Sequence, residues 1–214
     1  MLVNNCEAKH LDRLFGFMVQ GEKLAHNFSN QQSRLFDDTH AKRFLKQQSR
    51  HELIHVQIFK AGSRFINYRG SKNRPEGNAV RAYARLLDEA LLAGNRAETI
   101  MGLQVILEGF GDVILERLNG AIEKRGNTLA RMRHLILGQE DAHHHFGLQK
   151  LELYVQESPE LKEYLLKRAD NYLELIQQFL DETEEVFSHF HIDPQVYHGK
   201  INQNLPDWLE FKAR

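Results

Sequence analysis

Apolar side chains recur every three or four residues along most of this 214-residue chain, a spacing that predicts amphipathic α-helices. The stripes predict a first helix over residues 10–27 and a second over residues 38–67, with Asp38 as the N-cap of the second. Further helices are predicted over residues 79–93, 96–119, 127–157 and 158–190. The polar stretch 27–37 and the tail after residue 190 lack this period, so a loop and an irregular surface segment are expected there.

Residues 79–119 form one long apolar stripe, but two features predict a break inside it. Gly94 suits the position just after a helix, and Asn95 with Glu98 three residues later resembles a capping box. If the second and third bundle helices run parallel, an unbroken helix over residues 79–119 would leave a distance of about 66 Å between the end of the second helix and the start of the third. The loop at residues 69–78 reaches at most about 36 Å. An antiparallel arrangement would need no break.

Six polar side chains fall on the apolar stripes, where apolar residues are expected: Glu22, Glu52, His55, Glu108, Glu140 and His143. Two Glu-x-x-His pairs are among them. Residues three apart lie about 60° apart around a helix, so each pair aims a carboxylate and an imidazole at one point. A further Glu on an apolar stripe lies about 31 residues before each pair in the sequence. The chain thus resembles two similar helix pairs that offer one Glu and then one Glu-x-x-His.

Glu108 is the strongest single indication of a metal site, because it interrupts the apolar run MGLQVILEGFGDVIL. An unpaired carboxylate buried there would cost several kcal/mol. A metal ion would supply the compensating charge. Other interpretations remain for the rest. Glu22 is also consistent with a solvated charge at a helix end, and Glu52 with an ion pair to Arg50. Asp141 competes with its neighbour for the inward position but lacks the Glu-x-x-His spacing.

Several polar residues near these positions have more than one interpretation. His26 and Asp112 are expected either to orient the metal ligands or to be ordinary solvated residues. Gln104 has the same two interpretations and a third, as a residue that lines the pocket. His144 and His145 are expected to be outer partners or surface groups. Tyr83 and Tyr154 are expected to pack in the core, with a redox role as the alternative. Surface positions are predicted for His189, His191 and His198.

Composition excludes several other kinds of protein. The chain has 28 Lys and Arg against 29 Asp and Glu, so its net charge of −1 provides no field that would recruit nucleic acid or an anionic membrane. Cys6 is the single cysteine, so neither a disulfide framework nor a cysteine-based zinc or iron–sulfur site is expected, and a reducing, cytoplasmic setting is favoured. The first residues show no signal-peptide apolar region, and no run approaches about 20 apolar residues, so no membrane partner is expected. Four prolines and many helix formers favour an all-α protein.

Carboxylate and imidazole ligands together suit iron and manganese, whereas a structural zinc site would be expected to use thiolates. With this chemistry, the six side chains resemble the ligand set of the ferritin-like di-iron carboxylate superfamily over residues 11–154. The segments LQVILEGFGDVIL and EDAHHHFG are most similar to its oxygenase branch, such as aldehyde-deformylating oxygenases and tRNA hydroxylases.

The resemblance implies a ferritin-like four-helix bundle with a crossover helix and an additional C-terminal helix. We expect a single domain over residues 1–214, with the metal-binding bundle at 10–157 and the C-terminal helix and tail at 158–214. The resemblance also implies that Glu52 and Glu140 bridge two metal ions, while Glu22 and Glu108 are terminal ligands. Two iron ions are expected, and manganese–iron and dimanganese centres satisfy the same ligands.

The function that follows is a non-haem di-iron oxygenase or hydroxylase that activates dioxygen to oxidise an organic substrate. Its expected partners are dioxygen, an apolar substrate or a modified base, and an external ferredoxin or reductase, since the chain has no Cys-x-x-Cys module. A homodimer is one hypothesis for its assembly. The alternatives are a ferritin-like metal-handling or peroxide-scavenging protein, and a protein-binding module that keeps the metal for folding.

Overall fold

The computed structural model describes residues 5–66, 77–117, 127–189 and 194–210, and every regular element in these ranges is a helix. They are α1 (Asn5–Gln32), α2 (Thr39–Ile66), α3 (Asn78–Leu92), α4 (Arg96–Ile100), a π-helix (Met101–Leu107), α5 (Glu108–Arg117), α6 (Asn127–Glu157), α7 (Leu161–His189) and α8 (Pro194–Asn204). The all-α prediction is confirmed. None of the helices described combines the length and apolarity needed to cross a bilayer.

Four long elements form a bundle made of two packed pairs. α1 packs along α2, and the continuous helix made by α4, the π-helix and α5 packs along α6. α3 connects the two pairs and packs against α7, which adds a further layer to the bundle. One apolar core fills the space between these layers. Tyr172, Leu87, Ile100 and Leu103 are among its fully buried members.

α1 continues beyond the predicted end at residue 27. The residues from 27 to 32 are helical, so the expectation of a loop there is wrong for this part of the stretch. The Ser29 hydroxyl donates to the carbonyl oxygen of Ala25 at 2.7 Å, and Phe28 is buried. The Ser29 hydroxyl thus bonds within its own helix while Phe28 packs in the core, and the stretch remains helical although most of its residues are polar.

Side-chain caps define two helix starts as predicted. The carboxylate of Asp38 accepts hydrogen bonds from the backbone N–H groups of the second and third residues after it, at the start of α2. Gly94 has φ 66° and ends the crossover helix, with the N–H of Asn95 donating to the carbonyl of Ala90 at 2.9 Å. The Asn95 side chain then accepts from the N–H of Glu98 at 3.0 Å and opens α4. The predicted break inside residues 79–119 is confirmed.

A π-helix occupies Met101–Leu107, where a regular α-helix was expected, so that expectation is wrong for these seven residues. The N–H of Glu108 donates to the carbonyl of Leu103, five residues back. Neighbouring helices contact the widened turn. The Tyr83 hydroxyl donates to the Gly102 carbonyl at 2.6 Å, and a Cβ at Gly102 would lie 2.8 Å from the ring of Tyr172.

The predicted C-terminal helix is confirmed as α7, but the tail is more regular than expected. α8 forms within it and buries Ile201, with Leu205 and Leu209 buried in the turn that follows. The Lys200 ammonium lies 2.6 Å from the carboxylate of Glu116, which attaches the tail to α5. The predicted turn at residues 120–126, most of the loop at 69–78, His191 and the side chain of His198 lie outside the described residues.

Candidate metal centre

Each bundle element contributes to a common buried site. Glu22 comes from α1, the first Glu-x-x-His pair from α2, Glu108 from the first position of α5, and the second pair from α6. The exposed fractions are small: Glu22 7%, Glu52 0%, His55 0%, Glu108 5%, Glu140 2% and His143 2%. The structure therefore brings together all six residues that the sequence nominated.

The six side chains form two overlapping groups. The first contains Glu22, Glu52, His55 and Glu140, and the second contains Glu52, Glu108, Glu140 and His143. Within each group one ligand atom per residue lies within 4.8 Å of the others. Glu52 and Glu140 belong to both groups, so each of these carboxylates can reach two ions.

Both imidazoles turn their Nδ1 atoms towards the two shared carboxylates. The Nδ1 atom of His55 lies 3.0 Å from Oε2 of Glu52 and 3.0 Å from Oε1 of Glu140. The Nδ1 atom of His143 lies 3.0 Å from Oε1 of Glu52 and 3.7 Å from Oε2 of Glu140. Each shared carboxylate thus presents one oxygen to each imidazole, an arrangement that suits a carboxylate bridge between two cations.

Unpaired polar atoms test whether metal ions fit this site. Both carboxylate oxygens of Glu52 and of Glu140, and the Nδ1 atom of His143, are buried and have no hydrogen-bond partner among the described residues. These carboxylates contact the two imidazole nitrogens, but burying four carboxylates without enough compensating charge costs several kcal/mol. Two divalent cations would satisfy these atoms, so the residues present fit a dinuclear site.

The alternative interpretations of individual residues do not agree with the geometry. Glu22 is buried rather than solvated at a helix end, and Arg50 is exposed whereas Glu52 is fully buried. Asp141 is exposed, and its neighbour Glu140 takes the inward position. Spacing on the apolar stripe therefore identified the inward residue correctly in each case.

The shifted pKa values of the buried carboxyl and imidazole groups indicate that the site lacks positive charge. Burial, followed by the negative charge of Glu140, raises the pKa of Glu22 and of Glu108 well above the ordinary range. Burial lowers the pKa of His143, but close contacts with Glu140 and Glu52 outweigh it and raise this pKa to about 9. Without cations the site therefore retains protons, and metal ions would take the place of those protons.

The residue before each Glu-x-x-His pair contacts the histidine of the other pair. Gln139 Oε1 accepts a hydrogen bond from Nε2–H of His55 at 2.8 Å. The Nδ1 atom of His51 lies 3.2 Å from Nε2 of His143. These contacts orient both rings with Nδ1 facing the carboxylates. Neither residue was singled out from the sequence, although each directly precedes a candidate ligand.

A chain of glutamines supports Glu108. Gln48 donates to Oε1 of Glu108 at 2.6 Å, and Gln104 donates to Gln48 at 2.9 Å and to Gln32 at 2.8 Å. Gln104 is fully buried in this network and holds the bundle helices together. The interpretation of Gln104 as a pocket-lining residue is wrong; it acts on the candidate ligand through Gln48.

The remaining polar candidates have separate roles. His26 contacts the carbonyl oxygen of Ser49 at 2.7 Å and its hydroxyl at 2.9 Å, and so links α1 to α2. Asp112 is half-buried, and its Oδ1 atom has no hydrogen-bond partner among the described residues. Burial and the charge of Glu140 raise the pKa of Asp112 to about 8.

The two histidines after His143 differ in their surroundings. His144 is 7% exposed, and a Cβ at Gly109 would lie 3.1 Å from its Nε2 atom. It is therefore packed against α5 and does not lie at the surface. His145 is exposed and contacts Gln149 at 2.9 Å.

An apolar cavity borders the candidate metal centre. It holds about 740 Å³, including the part open to solvent, and Glu22, Glu108 and Glu140 line it. Aromatic and aliphatic side chains make up most of the remaining wall, among them Phe17, Tyr83, Phe110, Ile114, Leu175 and Phe179. Tyr83 thus lines the cavity as well as packing in the core, and Tyr154 is half-buried against the core.

One solved structure compares closely in fold. It is Protein 19 with aldehyde deformylating oxidase activity from Synechococcus, with a TM-score of 0.75 and 17% sequence identity over 91% of this chain and 85% of that chain. The chain therefore has the ferritin-like helical fold, and the resemblance expected from the sequence is confirmed at the level of the fold. No protein-family model matches the sequence, and no curated protein matches it.

Proposed function

We propose that this protein is a non-haem di-iron oxidoreductase that uses dioxygen to oxidise or hydroxylate an apolar organic compound. The observation that carries the proposal is the pair of overlapping carboxylate and imidazole groups that share Glu52 and Glu140. Their position beside an apolar cavity adds a place for a substrate. The ferritin-like fold agrees with this function but does not by itself specify a reaction.

The residues in each group have distinct proposed roles. Glu22 and His55 would hold one ion and Glu108 and His143 the other, with the two shared carboxylates between them. Four carboxylates and two neutral imidazoles balance the charge of two divalent ions, and six side chains leave coordination positions open. Two reduced iron ions in this site would supply the activation of dioxygen. Manganese–iron and dimanganese pairs fit the same donors, and the electrons would come from a ferredoxin or reductase.

The cavity indicates the kind of substrate. Its wall offers aromatic rings and aliphatic side chains and, beside the three carboxylates at the centre, few hydrogen-bonding groups. A modified base would need hydrogen bonds to its polar edge, which this wall does not provide. We therefore propose a compound with an aliphatic or aromatic body and a single reactive end. Burial of that body would exclude water from the carboxylates and orient the reactive end towards them.

A direct test combines metal analysis with dioxygen consumption. Protein loaded anaerobically with Fe²⁺ should bind two iron ions per chain and develop a new absorption band after dioxygen is added. With a chemical reductant, dioxygen consumption should increase when a long-chain aldehyde or hydrocarbon is present, and an oxidised product should form. Glu140→Gln should abolish metal binding and activity, while Asp141→Asn, the exposed neighbouring carboxylate, should retain both.

Three results would contradict the proposal. Failure to take up iron, with one zinc ion per chain that is lost in Glu140→Gln, would exclude the dinuclear oxidoreductase. Fast hydrogen peroxide turnover that no organic compound influences, or storage of iron far beyond two ions per chain, would support the metal-handling or peroxide-scavenging alternative.

A further inference from the structure

A second cluster of metal-binding side chains lies where α1 begins and α7 ends. Cys6 and His10 are one helical turn apart on α1, and His189 is the last residue of α7. One ligand atom from each lies within 4.8 Å of the others. His10 precedes Glu22 by 12 positions along α1, which is about 18 Å, so this cluster is separate from the dinuclear centre.

The imidazole of His10 provides an independent indication of a ligand. His10 is 5% exposed, yet its Nδ1 atom has no hydrogen-bond partner among the described residues. Its ring stacks on the ring of His189, with centroids 4.1 Å apart and an interplanar angle of 18°. A buried ring nitrogen without a partner is costly, and a cation bound beside it would remove that cost.

The donor set differs in chemistry from that of the dinuclear centre. One thiolate and two imidazoles are ligands typical of Zn²⁺ in proteins, whereas carboxylates dominate the other site. The expectation that a single cysteine excludes a cysteine-based zinc site considered cysteines alone and did not include the two imidazoles. Donor atoms on a tetrahedral zinc ion lie about 3.3 to 3.6 Å apart, as bond lengths of about 2.0 to 2.3 Å require. The three atoms lie within 4.8 Å of one another. Because a metal ion lies in the plane of each imidazole that binds it, side-chain rotation would have to separate the stacked rings of His10 and His189 before both could bind one ion. A fourth position would remain open to solvent or a small ligand.

Neighbouring charges are compatible with a bound cation. Lys9 and Arg13 lie on the same helix, and both pair with the carboxylate of Glu185, which reduces their repulsion of a metal ion.

We propose that Cys6, His10 and His189 form a mononuclear site for a thiophilic divalent cation, with Zn²⁺ as the preferred ion. The site would attach the first turns of the bundle to the end of the additional helix. Bound Zn²⁺ would therefore stabilise the packing of α7 on the bundle, because a ligand that binds only the folded state increases its stability.

Cobalt(II) is a suitable spectroscopic probe because Cys6 is the single cysteine of the chain. A sulfur-to-cobalt charge-transfer band can then arise from this site alone, since the dinuclear centre contains no thiolate. Co²⁺ added to iron-loaded full-length protein should produce the band, and Zn²⁺ should displace it. Cys6→Ser should abolish the band. His10→Ala and His189→Ala should each weaken Co²⁺ binding by at least about tenfold, because loss of a residue that only orients a metal ligand already costs about 10- to 100-fold.

His145→Ala is the matched control, since that histidine is exposed on α6 and should leave the band unchanged. Circular dichroism and the iron content of each variant distinguish loss of the site from loss of the fold. Absence of the band in the wild-type protein would overturn the proposal. So would a band of equal strength and affinity in both histidine variants, because it would indicate a simple adduct of an exposed thiolate.

Discussion

The Nδ1 atom of His143 lies 3.0 Å from Oε1 of Glu52, although the two residues belong to different Glu-x-x-His pairs. The other oxygen of the same carboxylate lies 3.0 Å from Nδ1 of His55. Glu52 therefore connects the two halves of the centre, whereas Glu22 belongs only to the half that contains His55. The two ions should accordingly depend on Glu52 together and on Glu22 separately.

We expect Glu52→Gln to lose both metal ions and Glu22→Gln to lose mainly the ion beside His55. The amide removes the negative charge that each cation requires, and the shared position affects both cations at once. Elemental analysis of protein loaded under anaerobic conditions measures the number of ions per chain. Equal metal content in the two variants would contradict the assignment of Glu52 as the shared ligand.

Gln139 should influence metal binding without contacting a metal ion. It accepts the hydrogen bond from Nε2–H of His55 and so keeps Nδ1 directed at the carboxylates. We expect Gln139→Leu to weaken metal binding by about 10- to 100-fold, as is usual when the partner of a histidine ligand is lost. Competition with a chelator measures the affinity. Gln149→Leu, at an exposed position of the same helix, should bind metal like the wild type.

Occupying the cavity should separate substrate binding from metal binding. Gly111 lines the cavity, and a Cβ there would have no atom within 4 Å. Gly111→Leu should keep both metal ions but weaken binding of a long-chain aldehyde or fatty acid by about tenfold or more, because an apolar pocket is sensitive to added methylene groups. Calorimetry or displacement of a fluorescent fatty acid measures this affinity.

Gly138→Leu is the control for that experiment, because this exposed helical glycine also has open space around it and does not line the cavity. Both substitutions should stabilise their helices by about 0.5–1 kcal/mol. Equal ligand affinity in the two variants would show that the cavity does not hold the apolar ligand.

Asp112 should make the stability of the metal-free protein depend on pH. Burial raises the pKa of Asp112 from 3.8 to about 8, so between these values the folded protein holds a proton that the unfolded chain has released. The contribution of this group to stability therefore falls as the pH rises through this window. We expect Asp112→Asn to raise the melting temperature progressively from about pH 4 to about pH 8, with little effect below it. An effect that does not vary with pH would contradict this reading of Asp112.

Helical periodicity was sufficient to predict the bundle and the inward side chains. The period places Glu22 and Glu108 on the same stripes as their apolar neighbours, and burial follows from that position. The caps at Asp38 and Asn95 were also predictable, because their hydrogen bonds join residues two or three positions apart. Interactions between residues close in sequence can therefore be predicted from the order of residue types.

Contacts between distant residues left no such pattern. Glu98 was interpreted only as a capping residue, yet its buried carboxylate accepts hydrogen bonds from Arg168 at 2.5 Å and from the hydroxyls of Tyr164 and Tyr172. These partners lie on α7, on the far side of a long stretch of chain, so the sequence around Glu98 does not reveal them. The contacts of Gln139 with His55 are hidden for the same reason.

Two helical segments were missed for different reasons. α8 was overlooked because it is short and buries few apolar residues of its own: Ile201 lies in it, whereas Leu205 and Leu209 lie in the turn that follows. The π-helix was not predictable because Met101–Leu107 is apolar at nearly every position, so any helical geometry would bury similar side chains. Packing of Tyr83 and Tyr172 against the Gly102 backbone becomes apparent only in three dimensions.

The π-helix has a consequence for the evolution of chain length in this fold. A turn that pairs N–H groups with carbonyls five residues back contains one residue more than an α-helical turn. The segment before Glu108 therefore accommodates a surplus residue while the carboxylate remains directed at the shared centre. A related chain with a one-residue deletion between Met101 and Leu107 would reach the same ligand position through a plain α-helix. Sequence alignments of proteins with this fold should show a one-residue gap here, because an insertion or deletion at this point leaves the ligand residues aligned with one another.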